Sequence, residues 1–182
     1  MTRVGVFSDS HRDCRSLGLL LDKMGYIDAA CFLGDVASDA AYLREVLAAM
    51  PHEPPLYAVR GNNDMTRALP DELVVELGGQ RAYLTHGHMR CGPMSLVYKA
   101  QENDARIALF GHTHVPFCET VQGVLLLNPG SAGRYCRGGE PRASVLIIDS
   151  GRLSVQEVTL EGARTRHTGG KTGGPAKRSA QE

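Results

Sequence analysis

The sequence has no excess of either charge and no long apolar segment, and both absences narrow its class of function. The 20 Lys and Arg residues balance 20 Asp and Glu residues, whereas a protein dedicated to long nucleic acid normally carries a basic surface. Apolar runs such as Val124 to Leu127 are only strand-sized, far short of the roughly 20 residues that cross a bilayer. We therefore expect neither a dedicated nucleic-acid surface nor a membrane span.

Signals for export and for cysteine chemistry are also absent. The N-terminal apolar stretch Val4 to Phe7 is too short for a signal-peptide core, which favours a cytoplasmic protein. The five cysteines are scattered, odd in number and without a CxxC pair, so neither a disulfide framework nor a thiolate zinc site is indicated. We interpret them as reduced thiols.

Composition predicts one globular domain and a tail. Hydrophobic residues make up 42% and charged residues 22% of the 182 residues, which is ordinary for a soluble single domain. From Glu161 onward the chain is rich in Gly, Thr, Arg and Lys, too polar to offset its ordering entropy. We expect a domain over residues 1–160 and a disordered tail over 161–182, which is either a solvated segment without a role or a contact for an acidic partner.

The first half of the domain alternates strands with helices. Apolar runs at Thr2–Ser8, Ala29–Leu33 and Leu56–Val59 read as strands, and Asp13–Gly25 and Asp39–Met50 read as helices. This β-α-β-α-β order favours a parallel sheet with right-handed crossovers.

The second half of the domain has a different order of elements, with more strands and one predicted helix. Glu72–Leu77 and Arg81–Thr85 form a predicted hairpin across Gly78-Gly79, and Pro93–Asn103 is a predicted helix. Further strands are expected at Arg106–Phe110, Val115–Val121, Val124–Leu127, Ala143–Ile148 and Leu153–Leu160. We predict a mixed or antiparallel sheet here and an α/β protein overall.

Five polar motifs come directly after predicted strands, where strand ends in an α/β protein converge on a ligand crevice. They are Asp9-Ser10-His11, Gly34-Asp35, Gly61-Asn62-Asn63-Asp64, His86-Gly87-His88 and Gly111-His112-Thr113-His114. Singly, each has a structural explanation, since Asp caps helices and Asn, Asp and Gly form turns. Together they indicate one site.

The donors in these motifs are more than one metal ion needs. Seven oxygen and nitrogen donors suit two ions about 3.5–4 Å apart that share a carboxylate. Histidine, Asp and Asn without thiolate favour Mn²⁺, our first choice, or Fe²⁺, Co²⁺, Ni²⁺ or Zn²⁺, and argue against Ca²⁺. The seven candidate ligands are Asp9, His11, Asp35, Asn62, His86, His112 and His114.

In this order and spacing the motifs resemble those of the calcineurin-like metallophosphoesterases. The short length, the turn at Asn128-Pro129-Gly130-Ser131 and the following Pro141-Arg142 are similar to the small YfcE-type phosphodiesterases. The resemblance covers roughly residues 1–160 and implies two mixed β-sheets packed face to face with flanking helices, a four-layer αββα fold.

The resemblance also implies roles for the ligands. Asp9, His11 and His114 would hold one ion, Asn62, His86 and His112 the second, and Asp35 would bridge both. The two ions would lower the pKa of a bridging water, and the resulting hydroxide would attack a small phosphoester in line. A phosphodiesterase is the expected activity.

One position departs from the wider superfamily, where a histidine often follows the Gly-Asn pair. Asn63 stands there and cannot act as a general acid. Our hypothesis is that His88 partly substitutes or orients the substrate, the alternative being support of the ligand His86. Asn63 is expected to support the ligands without contacting metal. Asp64 is expected to stabilise its turn or a ligand histidine, the alternative being direct contact with metal.

Other functions and contacts are left open by the sequence. The retromer subunit with this fold is a protein-interaction module that has lost parts of the metal set, so fold alone does not establish activity. The seven competent donors favour the enzyme over that module, and the missing basic face disfavours a nuclease on long nucleic acid.

The sequence neither requires nor excludes a homo-oligomer. It also does not show which arginine would bind a substrate phosphate; the candidates are Arg12, Arg60, Arg90 and Arg134.

Overall fold

The computed structural model describes residues 1–65, 67–90, 92–134 and 139–161, together with the backbone of 163–167. Three helices in these ranges are α1 (Cys14–Met24), α2 (Ala37–Ala48) and α3 (Pro93–Glu102). The strands are β1 (Thr2–Phe7), β2 (Ala29–Phe32), β3 (Leu56–Ala58), β4 (Glu72–Leu77), β5 (Gln80–Thr85), β6 (Ile107–Leu109), β7 (Phe117–Val121), β8 (Val124–Asn128), β9 (Arg142–Asp149), β10 (Arg152–Thr159) and β11 (Ala163–His167).

The strands form two mixed sheets. The first has the order β11-β10-β9-β1-β2-β3, with β1, β2 and β3 parallel and β9 antiparallel to β1. The second has the order β4-β5-β6-β8-β7, with β5, β6 and β8 parallel. In each sheet the parallel strands therefore direct their carboxyl ends to one edge, where the polar motifs begin.

Helix α1 shows how local sequence sets the packing. Leu17, Leu20, Leu21 and Met24 recur at helical spacing and are all buried. The carboxylate of Asp13 accepts a hydrogen bond from the Ser16 backbone amide at 3.1 Å, which satisfies one of the amides left without an intrahelical partner at the start of the helix. The buried stripe thus turns toward the first sheet.

Three apolar clusters separate four layers. The central cluster joins the two sheets, with Val4 and Leu146 from the first and Leu84 and Leu127 from the second. Helices α1 and α2 cover the outer face of the first sheet, and α3 covers that of the second. The predicted two-sheet fold with flanking helices is confirmed.

Two sequence expectations need correction. Strands β9 and β10 join the first sheet beside β1, so the second half of the chain does not build one sheet. Residues 163–167 pair with β10 as strand β11, so the prediction of a disordered tail from residue 161 is wrong for this segment. The tail residues 168–182 lie outside the described part of the chain.

Among the described residues, no helix has the length and apolarity to cross a membrane.

Candidate metal centre

The five motifs meet where the carboxyl ends of both sheets adjoin. Asp9, Asp35 and Asn62 follow β1, β2 and β3, while His86 follows β5 and the two histidines of Gly-His-Thr-His follow β6. Backbone hydrogen bonds join neighbouring loops, with Asp9 N donating to Gly34 O at 3.0 Å and Gly111 N donating to His86 O at 3.0 Å. The fold thus brings together donors that lie up to about 100 residues apart.

Two clusters of donor atoms form within this site. Asp9 Oδ1 lies 3.2 Å from His114 Nε2, which lies 3.2 Å from His11 Nε2. In the second cluster His86 Nε2 lies 3.5 Å from Asp35 Oδ2 and 4.0 Å from Asp9 Oδ1. Asp9 belongs to both clusters, each of which could hold a metal ion. The bridging role expected for Asp35 stays a prediction.

The remaining two predicted ligands border the second cluster. Asn62 Oδ1 lies 3.0 Å from His86 Nε2, and the ring of His112 stands edge-on to that of His86 with centroids 5.2 Å apart. All seven predicted ligands therefore lie in or beside the two clusters.

The donor set fits divalent cations on two counts. Asp9 is fully buried, yet its Oδ1 accepts no hydrogen bond from the part of the chain that the structure describes. A buried carboxylate oxygen without a donor is costly unless a cation balances it. His86 donates through Nδ1 to the Leu33 carbonyl at 2.7 Å, so its Nε2 points at the oxygens of Asn62 and Asp35. Because a nitrogen and two oxygens face one another there, a proton or a metal ion is needed between Nε2 and these oxygens.

Hydrogen bonds fix the buried carboxylates from behind. Ser8 Oγ at 2.6 Å and the His112 amide at 3.0 Å both donate to Asp9 Oδ2, which leaves Oδ1 for the site. Asn63 donates to Asp35 twice, from its backbone amide to Oδ1 at 3.0 Å and from its side chain to Oδ2 at 2.6 Å. Asn63 thus holds the carboxylate of Asp35 in place.

Charge coupling shifts the ionisation of the central pair. Burial acts to lower the pKa of His86, but its hydrogen bond to Asp35 and the charges of Asp9 and Asp35 raise that pKa above the ordinary value. Burial acts to raise the pKa of Asp35, yet hydrogen bonds from His86 and Asn63 bring it well below the usual carboxylate range. This coupling favours an imidazolium beside a carboxylate when no metal is bound, and a cation at the same place would replace the proton.

Most ligand positions adopt the left-handed backbone region that residues with a Cβ rarely use. The φ angles are 53° at Asp9, 48° at His11, 45° at Asp35, 69° at His112 and 59° at His114. Such conformations are unfavourable by about 1–3 kcal/mol each and concentrate at functional sites. Five of the seven predicted ligands thus lie on loops with a strained backbone.

Two glycines of the motifs are required by close packing. A Cβ at Gly61 would overlap Asp35 Oδ1 and approach the Asp35 amide, and a Cβ at Gly111 would overlap Ser8 Oγ. These residues let the loops after β3 and β6 pass directly behind the buried carboxylates.

Asp39 is a supporting residue that the sequence reasoning missed. It is buried at the start of α2 and accepts from Ser10 Oγ at 2.6 Å and from the Arg12 amide at 2.7 Å. These bonds anchor the loop that carries Asp9 and His11. Its place in a predicted helix gave no sign of this contact, which spans 27 residues or more.

Three further residues hold the loops around the site. Asp64 accepts from the Gly61 amide at 2.8 Å and from the Ala37 amide at 2.5 Å, so it stabilises its turn. Asn128 donates to the Gly111 carbonyl at 2.7 Å, and Ser131 Oγ donates to the Asp9 carbonyl at 2.8 Å. Both residues therefore lie behind the site.

His88 lies beside the second cluster. Its ring centroid is 5.5 Å from that of His86 and 6.3 Å from that of His112. Its Nδ1 is buried without a hydrogen-bond partner. Burial and the nearby imidazoles of His86 and His112 lower the pKa of His88.

Carboxylates pair with three of the four arginines noted in the sequence. Arg60 pairs with Asp71, Arg90 with Glu72 and Arg134 with Asp13, while Arg12 is exposed.

Residues 2–151 match the profile of the calcineurin-like phosphoesterase superfamily domain. The chain belongs to this superfamily. Among curated relatives of this chain, the probable metallophosphoesterase YsnB of Bacillus subtilis is 36% identical over 80 residues, covering 42% of this chain and 47% of that protein. The phosphodiesterase YfcE of Escherichia coli is 41% identical over 81 residues, covering 44% and 41%. The chain thus spans less than half the length of each of these two relatives. The match to the superfamily profile confirms the resemblance predicted from the motifs.

Solved structures share the whole fold. A predicted phosphoesterase of Streptococcus pneumoniae has 31% identity and a TM-score of 0.70, covering 91% of this chain and 98% of that chain. Vps29 of Entamoeba histolytica, solved in complex with zinc, has 23% identity and a TM-score of 0.69, covering 91% and 97%. At that identity Vps29 supports the fold alone.

Proposed function

We propose that this metallophosphoesterase is a dinuclear phosphodiesterase acting on a small phosphoester. The observation that carries the proposal is the buried Asp9 Oδ1, which lacks a hydrogen bond and lies between histidines of two donor clusters. Relatives named phosphodiesterase support the choice of a diester. The family implies divalent metal ions, with Mn²⁺ our first choice and Ni²⁺, Co²⁺, Fe²⁺ or Zn²⁺ as alternatives.

In this proposal Asp9, His11 and His114 hold one ion, Asn62, His86 and His112 hold the second, and Asp35 contributes to both. When bound, two such ions acidify a water and offset the negative charge that develops on phosphorus.

The protein residues supply position and charge. Asp35 stays ionised because Asn63 donates to both of its oxygens and His86 lies beside it. His86 keeps one orientation because the Leu33 carbonyl accepts its Nδ1 proton. Asn62 presents a neutral oxygen to the same imidazole. Preorganised donors of this kind need no rearrangement during the reaction.

His88 is proposed to orient the substrate or assist its leaving group. The supporting observation is its buried Nδ1, which has no hydrogen-bond partner. We expect His88→Ala to keep its metal content and to lose more activity on esters with poor leaving groups than on activated esters. Equal rates in the variant and the wild type on both kinds of ester would assign His88 a purely structural role.

The decisive assay starts from chelated protein restored with Mn²⁺. We expect hydrolysis of bis(p-nitrophenyl) phosphate to exceed that of p-nitrophenyl phosphate and to fall at least about 100-fold in Asp35→Asn. Asp22→Asn, at an exposed position of α1, is the matched control and should keep full activity.

A protein-interaction module of the same fold is the alternative. It would be favoured by protein that binds metal yet hydrolyses neither ester with Mn²⁺, Ni²⁺, Co²⁺ or Zn²⁺. Asn63, in place of the histidine found in many superfamily members, would then explain the missing turnover.

A further inference from the structure

An apolar cavity adjoins the candidate metal centre. Its volume is about 330 Å³, within the range of small-molecule sites. It lies between the start of α3 and the segment that joins β6 to β7. The side chains that carry the argument are Arg90, Pro93, Leu96, Phe110, Val115 and Phe117.

The chemistry of the lining favours a flat apolar ligand. The rings of Phe110 and Phe117 lie with centroids 6.1 Å apart at a tilt of 59°, and Leu96 and Pro93 come from α3. Arg90 pairs with Glu72 through Nη2, and its buried Nε has no hydrogen-bond partner among the described residues. The cavity therefore combines aromatic and aliphatic walls with one unsatisfied donor on a residue that lines it.

The cavity borders the candidate metal centre at His112, a predicted metal ligand. His112, Thr113 and Val115 line it, and the same three residues line a second concavity of about 450 Å³ together with His114. A ligand whose phosphoryl group lies at the candidate metal ligands would thus have its neighbouring ester group within reach of the apolar walls.

We propose that this cavity binds a planar aromatic ester group of the substrate, such as an aryl group or a base, while the phosphoryl group lies at the metal centre. This inference rests on the proposed function, because it requires the phosphoryl site. It assigns substrate selection to the β6–β7 segment and α3. Burying an aromatic ring there should strengthen binding at least about tenfold.

The test compares phenylphosphonate with methylphosphonate, which keep the anionic head group and resist hydrolysis. Calorimetry on the Mn²⁺-restored full chain should show phenylphosphonate binding at least about tenfold tighter. In Val115→Trp this preference should fall to about threefold or less. The side chain of Val115 is 48% exposed, and the hydrogen bonds that involve Val115 use its backbone, so the substitution should preserve the fold.

Val74→Trp is the matched control, because Val74 is 42% exposed on β4, the edge strand farthest from β7 in the second sheet. It should keep the wild-type preference. Equal binding of the two phosphonates, or a preference that survives Val115→Trp, would overturn the cavity assignment and leave the proposed function standing. Failure of both phosphonates to bind would contradict the proposed function as well.

Discussion

The candidate metal centre has an inner half and an outer half that differ in construction. The inner half, Asp9, Asp35 and His86, is buried, and hydrogen bonds hold each of its side chains from behind. The outer half, His11, Asn62, His112 and His114, is partly or fully exposed on loops that follow β1, β3 and β6. We therefore expect the inner residues to support both the fold and the site, and the outer residues to support mainly the site.

The largest effect is expected from crowding the inner half. Gly61→Ala places a methyl group onto Asp35, so we expect loss of bound metal, at least about 100-fold lower activity and a loss of several kcal/mol in unfolding free energy. Metal analysis, turnover and denaturant unfolding measure these effects.

Gly123→Ala is the control for that substitution. Gly123 has a φ of 81° in open space between β7 and β8. The variant should lose only about 1 kcal/mol of stability and keep its activity. Equal effects of the two substitutions would show that Gly61 has no special relation to the site.

Truncating one histidine from each half separates fold from function. We expect His86→Ala and His112→Ala both to lower activity strongly. Only His86→Ala should destabilise the chelated protein, by about 2–3 kcal/mol, because it leaves the Leu33 carbonyl and Asp35 without their buried partner. His112 is exposed, so its truncation should change stability by no more than about 0.5 kcal/mol. Similar destabilisation of both variants would remove the distinction between the halves.

Asp39 offers a smaller perturbation of the loop that carries His11. Asp39→Ala leaves the Ser10 hydroxyl and the Arg12 amide without their acceptor, and we expect about 1–3 kcal/mol lower stability and about tenfold lower activity. Asp39→Asn keeps one oxygen acceptor and should restore part of the activity, while Asp22→Ala serves as the surface control. Wild-type turnover by Asp39→Ala would show that the loop holds its shape without this contact.

The sequence predicted which strands the ligand motifs follow better than it predicted how the strands are arranged in the two sheets. Each ligand motif follows a strand and carries polar side chains where an apolar run ends, so local pattern predicts both the strand and the donor. The supporting role of Asp39 could not be predicted, because its partners, Ser10 and Arg12, lie in a loop that only tertiary packing brings near α2. The pairing of β9 with β1 could not be predicted either. It joins Gly5 to Val145, and hydrophobic periodicity contains no information about which distant strands pair.

Ionisation of the inner half gives the smallest expected effect. Because the pKa of His86 is raised in the folded state, its contribution to stability is fully present below the ordinary histidine pKa of about 6.5 and is lost as pH rises through the folded value. In chelated protein, the stability of the wild type relative to Asp35→Asn should therefore decrease from about pH 5.5 to about pH 8.5. Denaturant unfolding at both pH values measures it, and a difference independent of pH would contradict the coupling.

Counting the metal ions bound per chain tests the central claim most directly. After chelation, restoration with Mn²⁺ and removal of free metal, elemental analysis of the wild type should find two ions per chain, and Asp35→Asn should retain fewer. One ion or none in the wild type, or two ions that persist in Asp35→Asn, would contradict a dinuclear centre built on these seven residues.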